Sequence, residues 1–254
     1  MSHRIITGDC LQLIRAVGPV DVCIFDPPYS EHVHANVKTG TLDSKKRKNG
    51  SHAVDLGFVA IGSDWMGQCA DALAGTVRRW VLAFCDIESA HLWKGAFTSA
   101  GFDYVRTGAW IRKGVPQLTG DRPGNGLDAV VICHPKGKKH WNGGGCDAVF
   151  HHGTCHAHRP CGSNNTREHP TQKPLPLMVE LVELFSDPGE TILDPTCGSG
   201  ATGVAAVRLG RNFVGIEQQE QWAKVAQERC DAEAHGSDVV SARAGQVPLF
   251  GEVT

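Results

Sequence analysis

No apolar stretch in these 254 residues approaches the roughly 18 needed to cross a bilayer. The opening Met1-Ser2-His3-Arg4 leads directly into a strand-like Ile5-Ile6-Thr7, so no signal peptide is expected. A paired Cys-x-x-Cys is missing too. The ten cysteines are scattered, several inside apolar runs (Cys23, Cys85, Cys133), where a free thiol acts as a small hydrophobe. That usage points to a reduced, intracellular chain and away from a disulfide scaffold. Charge of either sign is scarce in excess: the net value of −2 excludes a coat of positive charge, though a basic cleft can coexist with an acidic back. Neither an internal repeat nor a second core pattern is visible. At 41% hydrophobic, the chain is long enough to bury one large α/β core.

What is present is an alternation of Val- and Ile-rich runs with helical segments, the pattern of a doubly wound, mostly parallel Rossmann-like sheet. Arg4 to Thr7, Val20 to Phe25, Trp80 to Phe84, Thr191 to Leu193 and Asn212 to Ile216 read as strands. Trp65 to Val77, Ile87 to Ala100, Pro174 to Phe185, Gly200 to Leu209 and Gln219 to Ala234 read as helices. Tyr104 to Arg112 and Leu127 to Cys133 resemble a long antiparallel hairpin at one edge of the sheet. We expect a single domain over 1–240, with a polar loop at 30–63, an insertion at 135–167 without a core pattern, and a tail at 241–254.

Two strand ends carry the chemistry. Val20 to Phe25 runs into Asp26-Pro27-Pro28-Tyr29, a stiffened tetrad with an acid and an aromatic at the carboxyl edge, where open α/β sheets bind ligands. Thr191 to Leu193 runs into Asp194-Pro195-Thr196-Cys197-Gly198-Ser199-Gly200, an acid and a glycine-rich turn ahead of a helix. About twenty residues later Glu217 ends the next strand, where nucleotide sites place an acid on ribose hydroxyls. A nicotinamide turn would read Gly-x-Gly-x-x-Gly; Gly198, Gly200 and Gly203 leave that reading open, but the Asp-Pro-Thr-Cys ahead of them favours another cofactor.

The two motifs in this order resemble those of the beta-group DNA amino-methyltransferases, in which the catalytic tetrad precedes the cofactor turn. The resemblance covers Ile5 to about Ala234 and implies S-adenosylmethionine as cofactor, with double-stranded DNA as substrate. It implies cofactor contacts from Asp9 and Cys10, from Asp26, from Thr171, Gln172 and Lys173 of the His-Pro-Thr-Gln-Lys-Pro stretch, and from Asp194, Pro195, Cys197, Gly198, Ser199, Gly200, Glu217 and Gln218. It also implies catalysis by Asp26, Pro27, Pro28 and Tyr29 on the N6 amine of adenine, with cytosine N4 as the alternative. The chemistry suits these residues. An exocyclic amine has its lone pair delocalised into the ring, and a carboxylate with a neighbouring carbonyl can accept its two N–H bonds and free that lone pair. An aromatic can stack on a base flipped out of the duplex. The rival from another class is a catalytically idle nucleic-acid-binding module.

The remaining expectations are peripheral. Lys45, Lys46, Arg47 and Lys48, in the loop after the tetrad, and Lys136, Lys138, Lys139 and His140, at the start of the insertion, are expected to contact DNA phosphates. Cys146, His151, His152, Cys155, His156, His158 and Cys161 follow no zinc-module spacing, and no metal is expected. The small insertion is compatible with a homodimer. In the tail, Gln246, Leu249 and Phe250 resemble the peptide by which bacterial replication proteins dock on the sliding clamp. A cytoplasmic, bacterial or phage-encoded enzyme without membrane contact is the expectation as a whole.

Overall fold

The computed structural model describes residues 2–28, 61–112, 123–153 and 172–237. In chain order the elements are β1 (His3–Thr7), α1 (Cys10–Leu13), β2 (Val22–Phe25), α2 (Ser63–Ala74), β3 (Val81–Cys85), α3 (Ala90–Ser99), β4 (Asp103–Ile111), β5 (Leu127–His134), β6 (Val149–His151), α4 (Leu175–Phe185), β7 (Thr191–Asp194), α5 (Ala201–Arg208), β8 (Asn212–Glu217) and α6 (Glu220–Ala234). Their sheet has eight strands in the order β1-β8-β7-β2-β3-β5-β4-β6. Every neighbouring pair is parallel except those of β5, which runs against both β3 and β4.

The central strands β2 and β3 are buried on both faces, which explains why they read as continuous apolar runs. Their side chains alternate between two cores. Val22, Ile24, Leu82, Phe84, Val130 and Ile132 face the layer made by α4, α5 and α6. Cys23, Phe25, Val81, Ala83, Ala129 and Val131 face the layer made by α1, α2 and α3. The described cysteines are free, and all but Cys146 are buried, as expected of small hydrophobes in these cores. Burial pushes the Cys133 and Cys230 thiols up to about 12.

Two close contacts depend on missing side chains. A Cβ on Gly203 of α5 would lie 2.5 Å from the Phe213 ring on β8 and 2.7 Å from Cys230 Sγ on α6, so only glycine lets these three elements close up. Just before α5, Gly200 takes φ +78°, and a Cβ there would stand 2.9 Å from that of Ala226.

The antiparallel pair sits where expected, but with two additions. β5 is inserted between β3 and β4, and β6 extends the sheet beyond β4 with Phe150 buried. The stretch expected to lack any core pattern therefore supplies a strand. Its three residues, with one side chain buried, are too short for a period-2 signal.

The topology also defines a crevice. The β2–β3 connection carries α2 on one face, and the β7–β8 connection carries α5 on the other. The chain changes direction of winding between the neighbouring strands β2 and β7, the place where open α/β sheets bind ligands.

Candidate active site

The carboxyl edge carries an acid at the end of almost every parallel strand near this crevice. Asp9 follows β1, Glu217 ends β8, Asp194 ends β7, Asp26 follows β2 and Asp86 follows β3. Asp26 and Asp194 stand on adjacent strands, with Cys23 in register with Leu193.

On the β7 side the glycine-rich turn is sewn to β8. The Cys197 N–H donates to the Ile216 carbonyl at 3.0 Å, and the Gly198 N–H donates to Glu217 Oε2 at 2.9 Å. Glu217 Oε1 accepts from the Gln219 N–H at 2.9 Å, so both carboxylate oxygens are oriented by backbone and each keeps a lone pair to spare. Burial raises the Glu217 carboxyl above its ordinary value, against the lowering pull of those N–H donors. Asp194 is buried. Burial pushes it up to about 7, although the Thr202 hydroxyl and the Thr196 N–H both donate to it, at 2.5 and 3.1 Å. Asp9 accepts from the Leu11 N–H at 3.0 Å and caps α1. The adjoining Cys10 thiol is raised to about 12, first by burial and then by the Asp9 charge.

On the β2 side the Asp26 carboxylate forms an ion pair with the Lys173 ammonium. That ammonium also lies 5.0 Å from the centre of the Phe84 ring and 5.5 Å from that of Trp110, two rings set edge-on at 6.4 Å. The Trp110 indole is fixed in turn by donating to the His152 carbonyl at 2.9 Å. One residue before Lys173, the Gln172 Oε1 accepts from the Ser199 hydroxyl at 3.3 Å. Adjacent side chains thus touch Asp26 and the glycine-rich turn.

The site brings together Asp9, Cys10, Asp26, Pro27, Pro28, Gln172, Lys173, Asp194, Pro195, Cys197, Gly198, Ser199, Gly200, Glu217 and Gln218 along one edge of the sheet. Tyr29, Thr171, Lys45, Lys46, Arg47, Lys48, Gln246, Leu249 and Phe250 lie outside the described residues. Lys136, Lys138, Lys139 and His140 follow β5 to the opposite edge of the sheet. Because β5 is antiparallel, it carries the chain away from Asp26, and its end at His134 pairs with Asp103 at the amino edge. There Lys139 pairs with Asp103 at 3.0 Å, and the His140 carbonyl accepts from the Trp80 indole at 2.6 Å.

Three contributors escape sequence reading. Thr202 on α5 and Phe84 on β3 look like ordinary core positions. Arg229 on α6 is 1% exposed, and its Nη1 donates to the Ser199 carbonyl at 2.5 Å and to the Ser199 hydroxyl at 3.1 Å. Its signal was available: Ala223, Ala226 and Cys230 mark the buried face of α6, and Arg229 falls on it. Of the Cys/His-rich stretch, Cys146 is exposed and His152 pairs with Glu180 at 2.5 Å. Among the described residues, no group of three or more His, Cys, Asp or Glu could hold a metal ion, and no helix is long and apolar enough to cross a membrane.

Similarity to known proteins agrees with this geometry. The chain is 24% identical over 247 residues to the type II methyltransferase M.HinfI of Haemophilus influenzae, covering 89% of this chain and 68% of that one. Over a shorter span of 66 residues, 26% of this chain and 25% of its relative, it is 47% identical to the type II methyltransferase M2.DpnII of Streptococcus pneumoniae. Among solved structures, the M1.HpyAVI–SAM complex superposes with a TM-score of 0.63 at 22% identity, covering 89% of this chain and 99% of that one. The cytosine-N4-specific PvuII DNA methyltransferase superposes at 0.67 and 12% identity, over 89% and 86% of the two chains. Residues 20–228 match the DNA methylase family N6_N4_Mtase, and the chain belongs to that family.

Proposed function

We propose that this chain is an S-adenosylmethionine-dependent methyltransferase acting on an exocyclic amine in duplex DNA, the N6 amine of adenine, after the base is turned out of the helix. The observation that carries the reading is the adjacency of Asp26 and the Asp194 turn on neighbouring strands at the winding reversal. A catalytic acid and a cofactor turn so placed bring a methyl donor and an amine acceptor to one crevice.

The residues fit the cofactor. Glu217 offers two oriented carboxylate oxygens for ribose hydroxyls, and Asp194 is a buried acid suited to a cationic amino group. When bound, S-adenosylmethionine supplies a methyl group already activated by its sulfonium. Asp26 and the Pro27 carbonyl hold the two amine protons, so the nitrogen lone pair is released toward the donor. Pro27 and Pro28 keep these acceptors stiff. Tyr29 stacks on the flipped base, and Lys45, Lys46, Arg47 and Lys48 neutralise phosphates beside it. Thr171 joins Gln172 in lining the pocket, and Lys173 turns its charge to Asp26 instead.

Asp at the head of the tetrad favours adenine; the PvuII enzyme, named cytosine-N4-specific, shares the fold and makes cytosine N4 the second reading. The same proposal includes action in the cytoplasm, where the DNA substrate is, a homodimer, and clamp docking through Gln246, Leu249 and Phe250. The test is expression in a host lacking DNA methylation, followed by nucleoside mass spectrometry and genome-wide reading of modified bases. N6-methyladenine with the wild type and none with Asp26→Ala is the expected result. N4-methylcytosine would move the target, and no modified base would overturn the reading.

A further inference from the structure

The surroundings of Asp26 pose an electrostatic problem. The carboxylate is partly enclosed, with a side-chain exposure of 22%. The charged or titratable groups on the elements packed around it are mostly acids: Asp194 on β7, Asp86 after β3, and Asp128 on β5, itself paired with Arg112 at 3.0 Å; the Cys85 thiol is buried at the end of β3. Enclosure and neighbouring negative charge both favour a protonated Asp26. A protonated carboxyl carries a hydrogen on one oxygen and cannot accept as freely from an amine. Lys173 opposes this. Its side chain is 10% exposed, and its ammonium is held by Asp26 and by the faces of Phe84 and Trp110.

We propose that Lys173 is a positioning residue that keeps Asp26 ionised and correctly turned for the target amine, and that the Gln172-Lys173 pair ties this acid to the glycine-rich turn through Ser199. The turning of Asp26 toward a target amine rests on the methyltransferase reading; its ionisation and the tie through Ser199 do not. A lysine in the His-Pro-Thr-Gln-Lys-Pro stretch was expected to line the cofactor, whereas here its charge is spent on the catalytic acid. The aromatic corner explains how a long, flexible side chain is kept to one position: a cation over two rings loses contact with both if it swings away from Asp26.

The test compares wild type, Lys173→Met and Lys173→Arg, with thermal melts to establish that each is folded. Carbon-13 NMR of Asp side-chain carboxyls, with Asp26→Asn to assign the signal, follows the titration of Asp26 whether or not the protein methylates DNA. Removing the lysine should raise the pH at which Asp26 titrates by about one unit or more, and arginine should restore it. The acid limb of single-turnover methylation at saturating S-adenosylmethionine should move upward by the same amount, while the Kd for cofactor changes less than about threefold. An Asp26 titration unchanged in Lys173→Met overturns the proposal. So does a cofactor Kd that rises strongly while the acid limb stays put, because Lys173 would then serve the cofactor directly. If Lys173→Met does not fold, Lys173→Gln replaces it in the same comparison. Absence of methylation by the wild type, with the NMR shift present, would sink the methyltransferase reading and leave the ion-pair role standing.

Discussion

The Thr202 hydroxyl donates to Oδ2 of Asp194 at 2.5 Å, in a place where the carboxyl is 4% exposed. This hydrogen bond favours the carboxylate, yet burial outweighs it and the group titrates near 7 instead of at its ordinary 3.8. The folded state therefore holds this proton more tightly than the unfolded chain. From this group, stability is fully present below about 3.8 and declines as pH rises toward about 7. We expect Tm to fall between pH 5 and pH 8, and Asp194→Asn to flatten that fall. Scanning calorimetry across pH decides it. If the ammonium of S-adenosylmethionine approaches Asp194, binding near pH 6 should also expel a proton, seen as a buffer-dependent binding enthalpy that vanishes in Asp194→Asn.

Arg229 acts on the glycine-rich turn from behind. Arg229→Met would leave the Ser199 carbonyl and hydroxyl without their charged donor, in a spot closed to water. A loss of about 3 kcal/mol is expected, or a Tm lower by roughly 5–10 °C. Lysine, which keeps one charged donor, should recover part of it. Denaturant unfolding monitored by tryptophan fluorescence measures both, and a change within about 0.5 kcal/mol would mean that the turn holds its shape unaided.

Both carboxylate oxygens of Glu217 already accept from backbone, and the proposed function gives them the ribose as well. Glu217→Ala should weaken S-adenosylmethionine binding by about 1.5–3 kcal/mol, the usual worth of hydrogen bonds to a charged group. Glu217→Gln should lose nearly as much, because its amide would turn an N–H toward either the Gly198 or the Gln219 donor. An unchanged Kd in both would put the ribose acid at another strand end.

How much of this was legible beforehand depended on range. The strands ending at Phe25, Asp194 and Glu217 were readable, because fully buried parallel strands leave apolar runs and the polar residues after them stand out. Their side-by-side position was implied by the family motif order. The Lys173–Asp26 pair was not readable, since nothing local in either segment encodes a contact between distant parts of the chain. The fate of Lys136 to His140 hinged on one strand direction: the hairpin was legible, but which edge its second arm returns to became clear only from the pairing of β5 with β3. Arg229 was hidden by habit, as a charged residue on a helix is usually assigned to solvent.

The reversed course of β5 has a practical side. It delivers Lys136, Gly137 and Lys138, all exposed, to the end of the sheet opposite Asp26. Cargo joined to the chain there, such as a fluorescent label or a second DNA-binding module, would be held off the Asp26 crevice by the height of the sheet itself. The fold thus has a natural handle, and the proposed site is left at the other end.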